Sequence, residues 1–132
     1  MKTGLFFAGL AGLTGVALGA FGAHALKETL ASRGMADVWE TAVLYQLTHA
    51  AAALGVLLFA QTRPAAARRW LARAGHAWLL GIGLFSGSLY VLALGGPKWL
   101  GPVTPLGGVF LLAGWICVLA GACKADSSEP QP

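Results

Sequence analysis

Charge interrupts the apolar pattern of this chain at only a few places. Four stretches contain no Asp, Glu, Lys or Arg: Thr3–Leu26, Thr41–Thr62, Ala74–Pro97 and Trp99–Cys123. Each supplies at least the roughly 20 residues with which a helix rising 1.5 Å per residue crosses about 30 Å of hydrocarbon. In a chain of 132 residues such runs leave almost nothing for a soluble domain. The pattern predicts an all-α membrane protein, a single four-transmembrane-helix bundle over residues 1–123 with helices at about 3–25, 38–61, 74–95 and 102–122. Residues 124–132, "KADSSEPQP", form a polar, proline-bearing tail expected to be disordered.

The polar positions between the runs predict how the helices begin and end. Between the first two runs, "ETLASRGMA" is a polar stretch broken by Gly34. Asp37 followed three residues later by Glu40 has the spacing of a capping box, which predicts a structural use for both carboxylates. Pro64 stops the second helix, and the arginines that follow it, with Trp70, read as an interfacial segment near anionic headgroups. "GGPKWLGPVTP" reads as a short outer turn, with Pro102 and Pro105 in the first turn of the last helix, where proline costs least. Trp39 and Trp99 fall in an outer aromatic belt, and Trp70 and Trp78 in an inner one.

Composition agrees: 57% of residues are hydrophobic, 11% are charged, and the mean hydropathy is +0.69. The net charge of +4 does not come from one basic patch of the kind that binds nucleic acid. Instead the cations flank the apolar runs. Lys2, Arg63, Arg68, Arg69, Arg73 and Lys124 share one side of the predicted topology, and Lys27, Arg33 and Lys98 share the other. The excess on the first side orients both termini toward the cytoplasm. Cys117 and Cys123 are six apart on one predicted helix, point in different directions and cannot pair with each other.

"MKTGLFF" begins like a signal peptide and "AHA" resembles a cleavage site, but the run between them exceeds the usual apolar region of a signal. Gly4, Gly9, Gly12, Gly15, Gly19 and Gly22 within it look like packing positions, so the segment is expected to be retained. Ala11, Gly15, Gly19 and Ala23 lie at four-residue spacing, as do Gly83 and Gly87, and small residues so placed let helix backbones approach in lipid. These glycines, with Gly107 and Gly108, are the predicted helix-packing residues.

Counting helical rise from the run ends sets Tyr45 roughly 10 Å and His49 roughly 16 Å below the outer surface, with Ser86 and Tyr90 at matching levels on the third helix. A polar cluster of Tyr45, Gln46, His49, Ser86, Ser88 and Tyr90 is therefore predicted in the outer half of the bundle, with His24 above it. An intramembrane histidine marks function by default, yet interhelical hydrogen bonding is its common structural use. Three explanations for His49 stand side by side: a structural hydrogen bond, proton or solute handling, and metal or haem ligation. His24 lies too far above His49 to share a haem, and His76 falls near the inner surface. A histidine pair on one helix turn, a phosphate-binding Gly loop and a nucleophile elbow do not occur. No catalytic residue, metal ligand or cofactor is assigned.

"LGAFGAHALK", "TAVLYQLTHA", "LFSGSLYVLAL" and "VTPLGGVFLLAGW" resemble, in order, the four hallmark stretches of the domain-of-unknown-function 423 family. That family includes bacterial YgdD-like inner-membrane proteins and the eukaryotic transmembrane protein 256. The resemblance covers about Leu5 to Ala122 and implies four transmembrane helices in a bacterial plasma membrane, with little implied about activity. By it, the motif residues here are His24, Tyr45, Gln46, His49, Ser86, Gly87, Ser88, Tyr90, Pro105, Gly107 and Gly108. The expected protein is a non-enzymatic accessory or scaffolding subunit acting through helix packing. Its expected partners are the bilayer and either another membrane protein or a second copy of itself. The alternative is a small transporter or channel using the cluster around His49.

Overall fold

The computed structural model describes residues 2–126. It comprises α1 (Lys2–Ala23), a short α2 (Lys27–Ser32), α3 (Ala36–Phe59) continued by a 3₁₀ turn (Ala60–Thr62), α4 (Ala65–Ala93), a 3₁₀ turn (Lys98–Leu100) and α5 (Val103–Asp126). The four long helices are each long and apolar enough to span a membrane. They alternate in direction. At one end Leu57 of α3 packs against Gly4 of α1 and Gly75 of α4, while Gly121 of α5 lies against Leu71. At the other end Arg33 lies against Gly95, and Leu30, Trp39, Ala42, Tyr90 and Ala93 form a buried cluster. A second cluster, Ala8, Ala53, Trp78 and Leu111, brings residues of all four long helices together further along. The central α3–α4 pair is flanked by α1 on α3 and by α5 on α4.

The start of α4 and the end of α5 differ from the sequence expectation. α4 begins at Ala65 rather than near 74, so the Arg-rich stretch is its first part and not a separate segment. Its 29 residues span roughly 44 Å, about 14 Å more than the hydrocarbon, so those turns stand clear of the membrane core. There Ala67 and Leu71 are buried, while Arg68, Arg69 and Arg73 are exposed. Arg63 is extended because Pro64 excludes the helical region for the residue before it. The first residues of the tail, 124–126, continue α5; residues 127–132 lie outside the described residues.

The Asp37–Glu40 capping box does not form. α3 starts at Ala36 behind Met35, no side chain caps it, and Asp37 and Glu40 are exposed within its first turns. The short α2, unforeseen in the polar connection, fixes that start. It ends in a Schellman motif, with Gly34 at φ +64°, Met35 N–H donating to Leu30 O (2.9 Å) and Gly34 N–H to Ala31 O (3.0 Å). Met35 then packs on the Leu30–Trp39 cluster, and apolar burial sets the helix start in place of a polar cap. Open space surrounds Gly34, so Gly34→Ala tests the backbone alone. It is expected to cost about 1 kcal/mol in detergent unfolding followed by circular dichroism.

Trp39 and Trp78 are not belt residues. They are 3% and 2% exposed, and each lies against a glycine of the neighbouring helix, Gly22 and Gly114. Each indole N–H donates to a carbonyl about one turn before that glycine: Trp39 to Leu18 (2.9 Å) and Trp78 to Leu111 (3.1 Å). A glycine slot plus a carbonyl acceptor satisfies a buried indole without water. Trp99 is exposed and Trp70 half-buried, with the Arg73 guanidinium 4.9 Å from its ring.

The packing glycines divide similarly. Gly15 and Gly19 meet Leu47 and Val43, giving α1 its contact with α3. Gly83 and Gly87 face open space, with nothing within 4 Å of an added Cβ, so they are not packing residues. On α4 that role falls to Gly75, against Leu57, and Gly81, against Leu111. Gly107 lies on the backbone of Leu84 and Phe85, whereas Gly108 makes only an ordinary contact with the Phe85 ring at 3.9 Å.

Candidate functional site

The predicted polar cluster is two separate hydrogen-bonded groups that diverge from α3. Tyr45 and Gln46 are neighbours in sequence, and one residue turns a helix by about 100°. The Gln46 amide reaches α1 and the Tyr90 hydroxyl of α4, while Tyr45 and His49 pack on Phe85 and Trp78 of α4 and on Trp115 of α5.

In the first site Tyr90 O–H donates to Gln46 Oε1 (2.8 Å). The Gln46 Nε2 amide donates to Ala11 O (2.8 Å) and to Thr14 Oγ1 (2.9 Å). Thr14 in turn donates to the Leu10 carbonyl (2.8 Å). Both amide hydrogens and the amide oxygen of Gln46 are thus engaged, and one side chain ties three helices together. The Tyr90 ring is held by Trp39 at a centroid distance of 4.7 Å.

In the second site His49, 7% exposed, has Nδ1 2.9 Å from its own helix's Tyr45 O and Nε2 3.2 Å from Trp115 Nε1. The carbonyl accepts only, so Nδ1 carries the proton; the indole donates only, so Nε2 does not. The geometry selects the neutral Nδ1–H tautomer and uses both ring nitrogens. Trp78, Trp115 and Tyr45 surround the imidazole at 6.1, 6.2 and 5.8 Å between centroids. ¹⁵N NMR of ring-labelled protein is expected to show Nε2 unprotonated, and Trp115→Phe is expected to move that resonance while leaving Nδ1 nearly in place.

Ser88 belongs to neither site: it lies 2.7 Å from Thr104 Oγ1 and 2.9 Å from the Phe85 carbonyl, linking α4 to α5. Ser86, 1% exposed, has the one buried side-chain polar atom without a hydrogen-bond partner among the described residues. His24 does not cap the cluster. It sits exposed in the turn after α1, because the helix stops at Ala23 and the chain turns away into α2. His76 is exposed near the opposite end, its Nδ1 2.7 Å from Ala72 O.

Thr14, Trp78 and Trp115 were not among the predicted site residues. A signal for Trp115 was present: it lies twelve residues into α5, roughly 18 Å along it, where an indole N–H finds no water and needs an acceptor. Between α3 and α5 a groove of about 680 Å³ opens, lined by Tyr45, Thr48, His49, Phe85, Pro105 and Trp115 among others.

The comparisons with known proteins agree with this architecture. The family model described as "Protein of unknown function (DUF423)" matches residues 18–108. The UPF0382 inner membrane protein YgdD of Escherichia coli K12 is 42% identical over 120 residues, covering 91% of this chain and 88% of its own. A UPF0382 membrane protein of Staphylococcus saprophyticus is 36% identical over 126 residues, covering 94% and 99%. No solved structure matches. The chain belongs to the DUF423 family and is a multi-pass helical protein of the bacterial inner membrane.

Proposed function

We propose that the protein is a non-enzymatic membrane subunit that acts by lateral association, its polar side chains fixing helix register rather than carrying a solute. The observation that carries this reading is the saturation of the two ligand-like side chains. Gln46 uses its whole amide, and His49 uses both nitrogens, so neither offers a site to a proton or ion without first breaking an interhelical bond. The outward faces of α1 and α5 are the surfaces open to a partner helix: Phe6, Leu13 and Val16 on one, Leu112, Ile116 and Leu119 on the other, all well exposed. The start of α1 and the end of α5 lie at the end that carries Arg63, Arg68, Arg69 and Arg73, which supports a cytoplasmic placement for that end.

Native mass spectrometry of the protein, extracted gently from its own membranes, tests the proposal. A second membrane protein in fixed stoichiometry is the expected result. A bare monomer that moves a solute across vesicles, and stops doing so as His49→Phe while staying folded, would overturn it. A reporter fused to the C-terminus tests the orientation and is expected to be active only on the cytoplasmic side.

A further inference from the structure

The α3–α5 groove carries two polar groups that the fold does not use. Thr14, Thr41 and Thr62 each return the hydroxyl to a backbone carbonyl three or four residues back. Thr48 does not, and among the described residues neither its hydroxyl nor that of Tyr45 has a hydrogen-bond partner. Both residues line the groove, and Tyr45 is 40% exposed. Along the 24 residues of α3, roughly 36 Å, Tyr45 lies about 14 Å and Thr48 about 18 Å from Ala36, close to the middle of the bilayer. Hydroxyls left unpaired in hydrocarbon are costly, so a ligand that accepts from them gains affinity.

Depth restricts what that ligand is. Phospholipid ester carbonyls lie at the edge of the hydrocarbon, roughly 15 Å from the mid-plane. An acyl chain, which does reach this depth, has no acceptor. The acceptor must belong to a neutral molecule that dissolves in the hydrocarbon itself. The walls add a shape: Tyr45 and Phe85 stand 4.7 Å apart between ring centroids, Trp115 rims the groove, and aromatic walls favour a flat unsaturated ring. Gly108 also lines the groove, where its missing side chain serves no close helix contact and keeps the space open. The volume of about 680 Å³ suits a ring with part of a tail. We propose that this groove binds a flat, lipophilic carbonyl compound of the isoprenoid-quinone class, with the Tyr45 and Thr48 hydroxyls donating to its carbonyl oxygens. The proposal concerns binding alone and assigns no electron transfer.

Decylubiquinone added to the detergent-purified protein is the probe, read by quenching of tryptophan fluorescence. Saturable quenching is expected. In Tyr45→Phe/Thr48→Val, which removes two hydroxyls and little else, half-saturation is expected to need roughly tenfold more quinone. Because neither hydroxyl bonds within the protein, the melting temperature of that variant is expected to be no lower than that of the wild type. Gly108→Leu, which fills the groove, is expected to abolish the saturable component. Quenching that rises linearly and equally in wild type and double variant would overturn the proposal, since the quinone would then merely share the micelle. Displacement of the quinone by an equal concentration of dioleoylglycerol, which has no ring, would overturn it as well.

Discussion

Gly107→Ala is expected to separate α4 from α5 and to unfold the purified protein under conditions where the wild type stays folded. A Cβ at this position would collide with the Phe85 backbone, reaching its Cα at 2.7 Å and the Leu84 carbonyl carbon at 2.8 Å. Backbone atoms cannot rotate out of the way as a leucine tip can, so the helices themselves must part. Overpacking a well-fitted contact costs about 1–3 kcal/mol and occasionally more; here the upper end applies. The displacement also stretches the 2.7 Å Ser88–Thr104 hydrogen bond, which lies one turn away on both helices. Lipid supplies no hydrophobic drive to pull the helices back together. Gly87→Ala is the control: nothing lies within 4 Å of its Cβ, and alanine favours helix over glycine by up to about 1 kcal/mol. Unfolding of both variants in detergent, followed by circular dichroism, decides the matter. Equal stability of Gly107→Ala and Gly87→Ala would show that the α4–α5 contact is looser than described.

The contrast between these glycines also shows what the sequence carried and what it did not. The number and approximate span of the long helices could be read because the bilayer imposes a one-dimensional requirement, enough charge-free residues in a row. Helix rotation imposes none. A small residue every four positions marks a stripe without saying what the stripe faces, so Gly83–Gly87 and Gly15–Gly19 looked alike while only the latter pair packs on a neighbour. Depth was legible and azimuth was not. Counting rise put Tyr90 at the level of Tyr45, and its hydroxyl does reach the next residue, Gln46, but Tyr45 and Gln46 diverge around α3 and split the predicted cluster. The tryptophans failed for a related reason: positions near helix ends suggested belts, whereas glycines on neighbouring helices had opened slots that admit Trp39 and Trp78. Pairings across helices, such as Gly22 with Trp39, have no sequence spacing to reveal them.

Gln46→Leu is expected to destabilise the protein by about 2–3 kcal/mol, and Tyr90→Phe by about 1, with the double variant no less stable than Gln46→Leu alone. The asymmetry follows from what each change leaves behind. Removing the amide strands the buried Tyr90 hydroxyl, which donates to nothing else, and frees α1 from its link through Ala11 O. Thr14 is not stranded, because its hydroxyl already donates to the Leu10 carbonyl. Removing the Tyr90 hydroxyl first leaves Gln46 bound to α1 and only its oxygen unpaired. Once Tyr90 is phenylalanine, therefore, Gln46→Leu no longer creates an orphaned hydroxyl, and the two costs do not add. Interhelical hydrogen bonds in membranes couple by about 0.6 kcal/mol on average and reach about 1.7. A three-helix junction with every group satisfied belongs at the upper end, so the cycle is expected to show about 1–2 kcal/mol of coupling. Strict additivity would mean that Gln46 and Tyr90 do not depend on each other for stability. Gln46 would then be better explained as a group held ready for a solute in the α1–α4 cleft that it also lines.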